Sequence, residues 1–205
     1  MTAPNDGDEA RNVVWHEGAV DRVVRAEVTG TMGSTVWLTG LSGAGKSTIA
    51  RSLETALVSA GRAAYVLDGD NLRHGLSSDL GFSASDRNEN VRRVGEVAAL
   101  FADASVVAIV AMISPYRAAR DQVRERHQSL GLAFLEVFVD TPIEECRRRD
   151  PKGLYARAGA GEITGLSGVD DPYEPPLHPD LHLPGGTAPV DDLVGRILSA
   201  LAATH

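Results

Sequence analysis

Gly40-Leu41-Ser42-Gly43-Ala44-Gly45-Lys46-Ser47-Thr48 fits the phosphate-binding pattern G-x-x-x-x-G-K-[ST] at every fixed position. Before it, Thr35-Val36-Trp37-Leu38 reads as a short buried strand; after it, Ile49, Leu53, Leu57 and Ala60 fall on one helical face, with Gly61 where a helix C-terminus favours it. Strand, loop and helix therefore come in the order this loop requires. Glycines let successive backbone N–H groups converge on phosphate oxygens, and the helix N-terminus adds partial positive charge. Lys46 supplies a mobile full charge, and Ser47 is placed to give its hydroxyl to a Mg²⁺ that bridges the same phosphates. Nucleoside triphosphate binding follows; where the phosphoryl group goes must be decided elsewhere in the chain.

The chain has 205 residues, 43% of them hydrophobic, which suits one domain with a real core. There is no apolar run of about eighteen residues, and the start Met1-Thr2-Ala3-Pro4-Asn5-Asp6 is acidic and polar, so a cytoplasmic protein with no membrane partner is expected. The single cysteine, Cys146, rules out an internal disulfide, and the six histidines show no metal-ligand spacing. A net charge of −8 argues against nucleic acid as a partner. Arginine nevertheless clusters, at Arg87, Arg92 and Arg93 and again at Arg147, Arg148 and Arg149. Each cluster is either a site for a small anion or a solvated helix face.

Residues 1–33 read as an N-terminal leader: residues 1–10 are polar and unanchored, Trp15 fastens the leader to the body, and Val20, Val23 and Val24 mark a short helix. Ala63-Ala64-Tyr65-Val66-Leu67 reads as a second buried strand running into Asp68-Gly69-Asp70-Asn71, which places acid at a strand's carboxyl end, the edge where α/β sheets bind ligands. Ser85 and Asp86 can cap a helix with Val91, Val94, Val97, Ala98 and Phe101 on its apolar face. The run from Val106 to Ile113 reads as a central strand buried on both faces. A charged helix over about Tyr116 to Leu130, a strand over Phe134 to Val139 and a helix started by Thr141 and Pro142 follow. Residues 151–189 then turn Gly-, Pro- and acid-rich, the signature of a lid or binding loop, before a closing helix with Leu193, Val194, Ile197, Leu198 and Leu201. The alternation predicts an α/β fold of three layers, a mainly parallel sheet flanked by helices.

Taken together, the phosphate loop, Asp68-Gly69-Asp70-Asn71-Leu72-Arg73-His74-Gly75-Leu76, Asp79-Leu80-Gly81-Phe82, Asp86-Arg87-Asn88-Glu89-Asn90-Val91-Arg92-Arg93, Ile113-Ser114-Pro115-Tyr116-Arg117 and Arg149-Asp150-Pro151-Lys152-Gly153-Leu154-Tyr155 resemble the adenylylsulfate kinase (APS kinase) family of P-loop kinases. The resemblance runs from about Asn12 to Pro175 and sets residues 34–205 as the kinase domain, with a lid over 151–175. It implies transfer of the ATP γ-phosphoryl group to the 3′-hydroxyl of adenosine 5′-phosphosulfate (APS), with Mg²⁺ as cofactor. Such a transfer needs positioning, a metal and positive charge more than covalent help.

Lys46 and Ser47 then serve the donor. Asp68 either orients or deprotonates the attacking hydroxyl or holds Mg²⁺ through water, and Asp70 is a second candidate. By resemblance Phe82 stacks on the acceptor adenine, Arg73, Arg87 and Asn90 hold its phosphosulfate and ribose, and Ile113 and Ser114 line the same pocket. Also by resemblance, Cys146 and Arg149 lie near the ATP adenine, and Lys152 begins a lid that closes over both nucleotides. The matching serine has been treated as a phosphoserine intermediate; no base is visible beside Ser114, which favours direct in-line transfer. The chain departs from the family at Leu166, where a phenylalanine is usual, and at Ala156 and Gly159, usually basic. Those departures make a kinase for a different small acceptor the main competing reading. A non-catalytic nucleotide-binding partner of a sulfurylase is a third, opposed by the intact Lys46, Ser47 and Asp68. A homodimer and a functional coupling to ATP sulfurylase are the partnerships left open.

Overall fold

A computed structural model describes Val14, His16 and residues 18–203. In chain order these form α1 (Arg22–Thr29), β1 (Ser34–Thr39), α2 (Lys46–Ser59), β2 (Ala64–Asp68), α3 (Gly69–Leu72), α4 (Ala84–Asp103), β3 (Val107–Ala111), α5 (Arg117–Ser129), β4 (Ala133–Asp140), α6 (Ile143–Arg149), α7 (Leu154–Gly159), β5 (Leu181–Pro184) and α8 (Val190–Ala203). The strands pair in parallel in the order β2-β3-β1-β4-β5. The predicted three-layer α/β arrangement is thus observed. Residues 1–10 and Trp15, with the roles expected of them, lie outside the described residues.

Strand alternation sorts the core into two layers. Val36 and Leu38 of β1 join Ile109 of β3, Leu53 and Leu57 of α2 and Ile197 and Leu201 of α8 on one face. Trp37 turns to the other face with Val110, Val91 and Val94 of α4 and Val123 of α5. Because every strand points the same way, the carboxyl ends of β1, β2 and β3 deliver Gly40, Asp68 and Ile113 to one edge.

Four local expectations need correction. β2 is an edge strand and not a buried one, with Tyr65 54% exposed, since strand order is set by packing partners and not by apolarity alone. Ser83, two residues before Ser85, caps α4 by accepting from the Asp86 amide at 3.2 Å. Thr141 does not cap α6; its hydroxyl donates to Ala44 O at 2.8 Å and so braces the phosphate loop. Residues 151–189 are also less irregular than their composition suggests, because α7 and β5 lie within them. β5 ends in Pro184, which an edge strand tolerates. Among the described residues no helix is long and apolar enough to cross a membrane.

His127 is fully buried beneath the sheet. Its Nδ1 donates to Val123 O at 2.8 Å, so a neutral ring must accept at Nε2 from Thr35 Oγ1 at 2.9 Å. Burial holds this imidazole below its ordinary value of 6.5. The unfolded chain therefore takes up this proton first, and stability falls as pH drops below about 6.5, by at most about 1.4 kcal/mol per pH unit. Thermal melts from pH 7.5 to 5.5 should show the wild-type chain losing stability faster than a His127→Gln variant. Parallel curves would refute this account of the acid sensitivity.

Candidate active site

The loop between β1 and α2 is shaped by close backbone approaches. Gly40 has φ +149°, and a Cβ there would stand 2.5 Å from Val139 O, so no larger residue fits. Lys46 is buried, and its Nζ donates to Gly40 O at 2.9 Å and Leu41 O at 2.8 Å. Burial pushes its ammonium down to about 8. Anionic phosphate oxygens offer this amine stronger acceptors than the two carbonyls. Tyr155 OH donates to Ser42 O at 2.9 Å, which ties the loop to α7. Gly40, Leu41, Ala44 and Cys146 do not line the cleft beside the loop; Ala44 and Cys146 are core residues under it. Arg149 does line the cleft and reaches Gly43 O at 3.5 Å.

That cleft, of about 900 Å³, runs from Ser42, Gly43, Gly45, Lys46, Ser47 and Thr48 past Asp68 and Asp70 to Arg73, Phe82, Arg87 and Asn90. Ile113, Ser114, Lys152 and Leu166 complete its walls, so the structure gathers the donor, acceptor and lid residues expected from sequence around one space. At its centre Ser47 Oγ donates to Asp68 Oδ2 at 2.7 Å, and the Asp70 amide donates to Asp68 Oδ1 at 3.0 Å. Lys152 Nζ crosses the cleft to pair with Asp70 Oδ2. Hydroxyl and carboxylate oxygens side by side fit a hard cation such as Mg²⁺. No group of three or more His, Cys, Asp or Glu that could hold a metal occurs among the described residues. A cation here would draw its other ligands from substrate oxygens and water.

On the far side, the Arg73 guanidinium lies 4.4 Å over the Phe82 ring, and its Nη1 donates to Gly81 O at 2.8 Å. Phe82 is 67% exposed, which leaves an aromatic surface available to a ligand. Arg87 is largely engaged within the protein. It donates to Phe82 O and Ser167 Oγ, each at 2.8 Å, and to Gly165 O, and it pairs with Asp171 at 3.7 Å. It thereby ties α4 to the lid. Asn90 is the complement: its Oδ1 is buried against the cleft wall without a hydrogen-bond partner, an acceptor left for a ligand donor. Leu166 is buried, its amide held by Asp170 Oδ1 at 2.7 Å.

Ser114 sits at φ +42°, in the left-handed region. Its Oγ accepts from Trp37 Nε1 and donates to Thr39 Oγ1, each at 3.1 Å, and no acid or base touches it. Arg92 and Arg93 pair with Glu89, and Arg93 also pairs with Asp79, so this pair follows the structural reading of its cluster. Sequence reasoning did not single out Thr39, Tyr155 and Tyr173. Tyr155 lay inside a quoted motif, whereas Thr39 and Tyr173, whose hydroxyls meet at 3.1 Å, carry no local signal.

Comparison with known proteins agrees with this arrangement. The adenylylsulphate kinase family model matches residues 32–184. An adenylyl-sulfate kinase of Vibrio cholerae is 53% identical over 194 residues, covering 95% of this chain and 89% of the relative. One from Citrobacter koseri is 55% identical over 191 residues, with 93% of each chain covered. Among solved structures, the Mycobacterium tuberculosis APS kinase in complex with AMPPNP and APS superposes with a TM-score of 0.81 at 50% identity, over 84% of this chain and 99% of that one. The hexameric APS kinase from Thiobacillus denitrificans does so with a TM-score of 0.64 at 36% identity, over 84% of this chain but 29% of that one. With loop, acids and acceptor wall in one cleft and the match running from the Gly30–Gly33 turn into β5, this chain belongs to the adenylylsulphate kinase family.

Proposed function

We propose that this chain transfers the γ-phosphoryl group of ATP to the 3′-hydroxyl of APS, giving 3′-phosphoadenosine 5′-phosphosulfate and ADP. The observation that carries this reading is the single cleft in which the phosphate loop faces Phe82, Arg73 and Asn90 across Asp68. Lys46 leaves its two carbonyl acceptors for the β- and γ-phosphates and neutralises charge there. Ser42 to Thr48 supply backbone donors, and Arg149 flanks the donor nucleotide. Phe82 stacks on the acceptor adenine, Asn90 Oδ1 accepts from the acceptor, and Arg73 meets its anionic end while Ile113 and Ser114 form the floor. Arg87 acts in this reading mainly by fixing the Gly165–Leu166 wall.

Asp68 accepts the hydrogen bond of the attacking 3′-hydroxyl and is placed to take its proton, with Asp70 beside it as the partner of Lys152. Mg²⁺ bound by Ser47 Oγ, and by Asp68 through water, would neutralise charge on the phosphates. Ser114 lacks a base and is already hydrogen-bonded on both sides, which supports direct in-line transfer without a phosphoserine. The kinase domain covers residues 34–205 behind a leader at 1–33, with the lid at 151–175 excluding water. Work on ATP suits a cytoplasmic location. Because APS is a mixed anhydride, an enzyme that activates sulfate must supply it; functional coupling to an ATP sulfurylase, and self-association as a homodimer, belong to the same proposal.

Loss of the Phe82 ring should raise KM for APS and leave KM for ATP within about twofold. A stacked base is worth about 1–3 kcal/mol, so Phe82→Ala should weaken the acceptor about 5- to 150-fold. Equal changes in both constants would refute the stacking role. The acceptor assignment is tested by comparing ADP release with APS, with AMP and with uncharged alcohols. Turnover confined to APS is expected, and comparable turnover with AMP would mean that the sulfate is not read.

A further inference from the structure

Arg120 of α5 is 1% exposed and is absent from the roles assigned above, yet its guanidinium spans three separate elements. Nε donates to Glu136 Oε1 on β4 at 2.8 Å, Nη1 to Ser114 O at 2.6 Å and Nη2 to Glu174 O at 2.7 Å. The first contact balances the buried charge. The other two grip main-chain carbonyls, one on the cleft floor and one in the strap where the lid returns to the body. Around them the Glu174 amide donates to Pro115 O at 2.8 Å, Glu174 Oε2 accepts from the Arg117 amide at 2.8 Å, and Tyr173 OH meets Thr39 Oγ1 at 3.1 Å. Floor and strap are therefore stitched together, with Arg120 buried between them. A guanidinium presents these three donors in a fixed planar fork; an ammonium also has three donors, but as a compact group on a flexible stem it does not span acceptors this far apart in that geometry.

We propose that Arg120 is a positioning residue for acceptor binding, which locks the left-handed Ser114 turn and the Tyr173–Glu174 strap into one rigid unit from which the Gly165–Leu166 wall is hung. The connection outward runs along the chain to Asp170 and Asp171: the Asp170 carboxylate accepts from the Gly165 and Leu166 amides, each at 2.7 Å, and Asp171 pairs with Arg87, which also holds Gly165 and Ser167. The phosphate loop touches this unit through Thr39 but has further braces at Ala44 and Ser42, from Thr141 and Tyr155. Loss of Arg120 should therefore act on the acceptor more than on the donor. This inference rests on the acceptor assignment made above only for which substrate it affects.

The test pairs Arg120→Lys with Glu136→Gln. Hydrogen bonds to charged groups set the scale, so Arg120→Lys should raise KM for APS about tenfold or more while KM for ATP stays within about twofold. Glu136→Gln keeps both carbonyl grips and should lower thermal stability while leaving KM for APS within about threefold. Equal effects of the two variants, or equal shifts in both KM values, would overturn the positioning role. Amide exchange of the wild-type chain provides an arm that needs no variant to fold. The Glu174 amide should exchange at least about 100-fold more slowly than the amides of Ile163 and Thr164 in the lid. Comparable rates would overturn the rigid strap. If the wild-type chain shows no APS-dependent turnover, the acceptor assignment fails on its own, and the exchange result still decides whether the strap is fixed.

Discussion

Replacing Lys46 with Ala lowers kcat by roughly 10²–10³-fold, the cost of removing one positioned charge from a phosphoryl-transfer site. Lys46 is buried, pushed down to about 8, and held by two backbone carbonyls alone. Among the described residues no carboxylate hydrogen-bonds to it, which leaves the charge available to an anion. Loss of the amine leaves the fold intact, because Thr141 and Tyr155 still brace the loop at Ala44 and Ser42. Steady-state ADP release at saturating ATP and APS, with circular dichroism as a check on folding, measures the effect. A kcat within about threefold of wild type would refute the donor-site assignment.

Asp68→Asn is expected to be comparably severe, lowering kcat by roughly 10²–10⁴-fold, the usual range for losing a positioned proton acceptor. The substitution is conservative in shape. Asn accepts at a helix N-cap as well as Asp does, so the short α3 that Asp68 begins by accepting from the Asp70 amide should persist. What disappears is the negative charge beside Ser47, and with it both the proposed proton acceptor and the proposed cation contact. Loss of kcat with KM for APS nearly unchanged is the expected signature. A large rise in KM for APS at constant kcat would instead make Asp68 a binding residue. Repeating the assay over a Mg²⁺ series separates its two functions, since a lost metal contact is offset in part by more metal and a lost proton acceptor is not.

The donor half of the site was legible in the sequence because its physics is local. Nine consecutive residues carry strand end, anion-binding turn and helix start, and no distant partner is needed to recognise them. Asp68 was legible for a related reason, since acid at the end of an apolar run in an α/β pattern belongs at the ligand edge. The acceptor wall draws on residues from Arg73 to Leu166, which meet only after the sheet has ordered its strands. Their likeness to a known family, and not their spacing, is the basis for the acceptor role proposed for them.

The features that escaped were those decided by tertiary pairing. Thr141 followed by Pro142 is a capping pattern, but its hydroxyl found the Ala44 carbonyl instead. Arg87, expected as a ligand contact, lines the cleft and also braces α4 against the lid through partners about 80 residues away, which the sequence alone does not show. Ser83 takes the cap in place of Ser85: its hydroxyl accepts from the Asp86 amide three residues on and donates to the Asp86 carboxylate at 2.7 Å. Arg120 looked like one more cation on a charged helix. Only the fold shows that it is buried against Glu136, Ser114 and Glu174.

The central claim, that one cleft brings the ATP γ-phosphate to the 3′-hydroxyl of APS, is tested most directly by incubating the wild-type chain with Mg-ATP with and without APS and identifying the nucleotide products by mass. The account predicts ADP formed only when APS is present, in equal amount to a product one phosphate heavier than APS. ADP released without that product, or no APS-dependent turnover while ATP still binds, would contradict it.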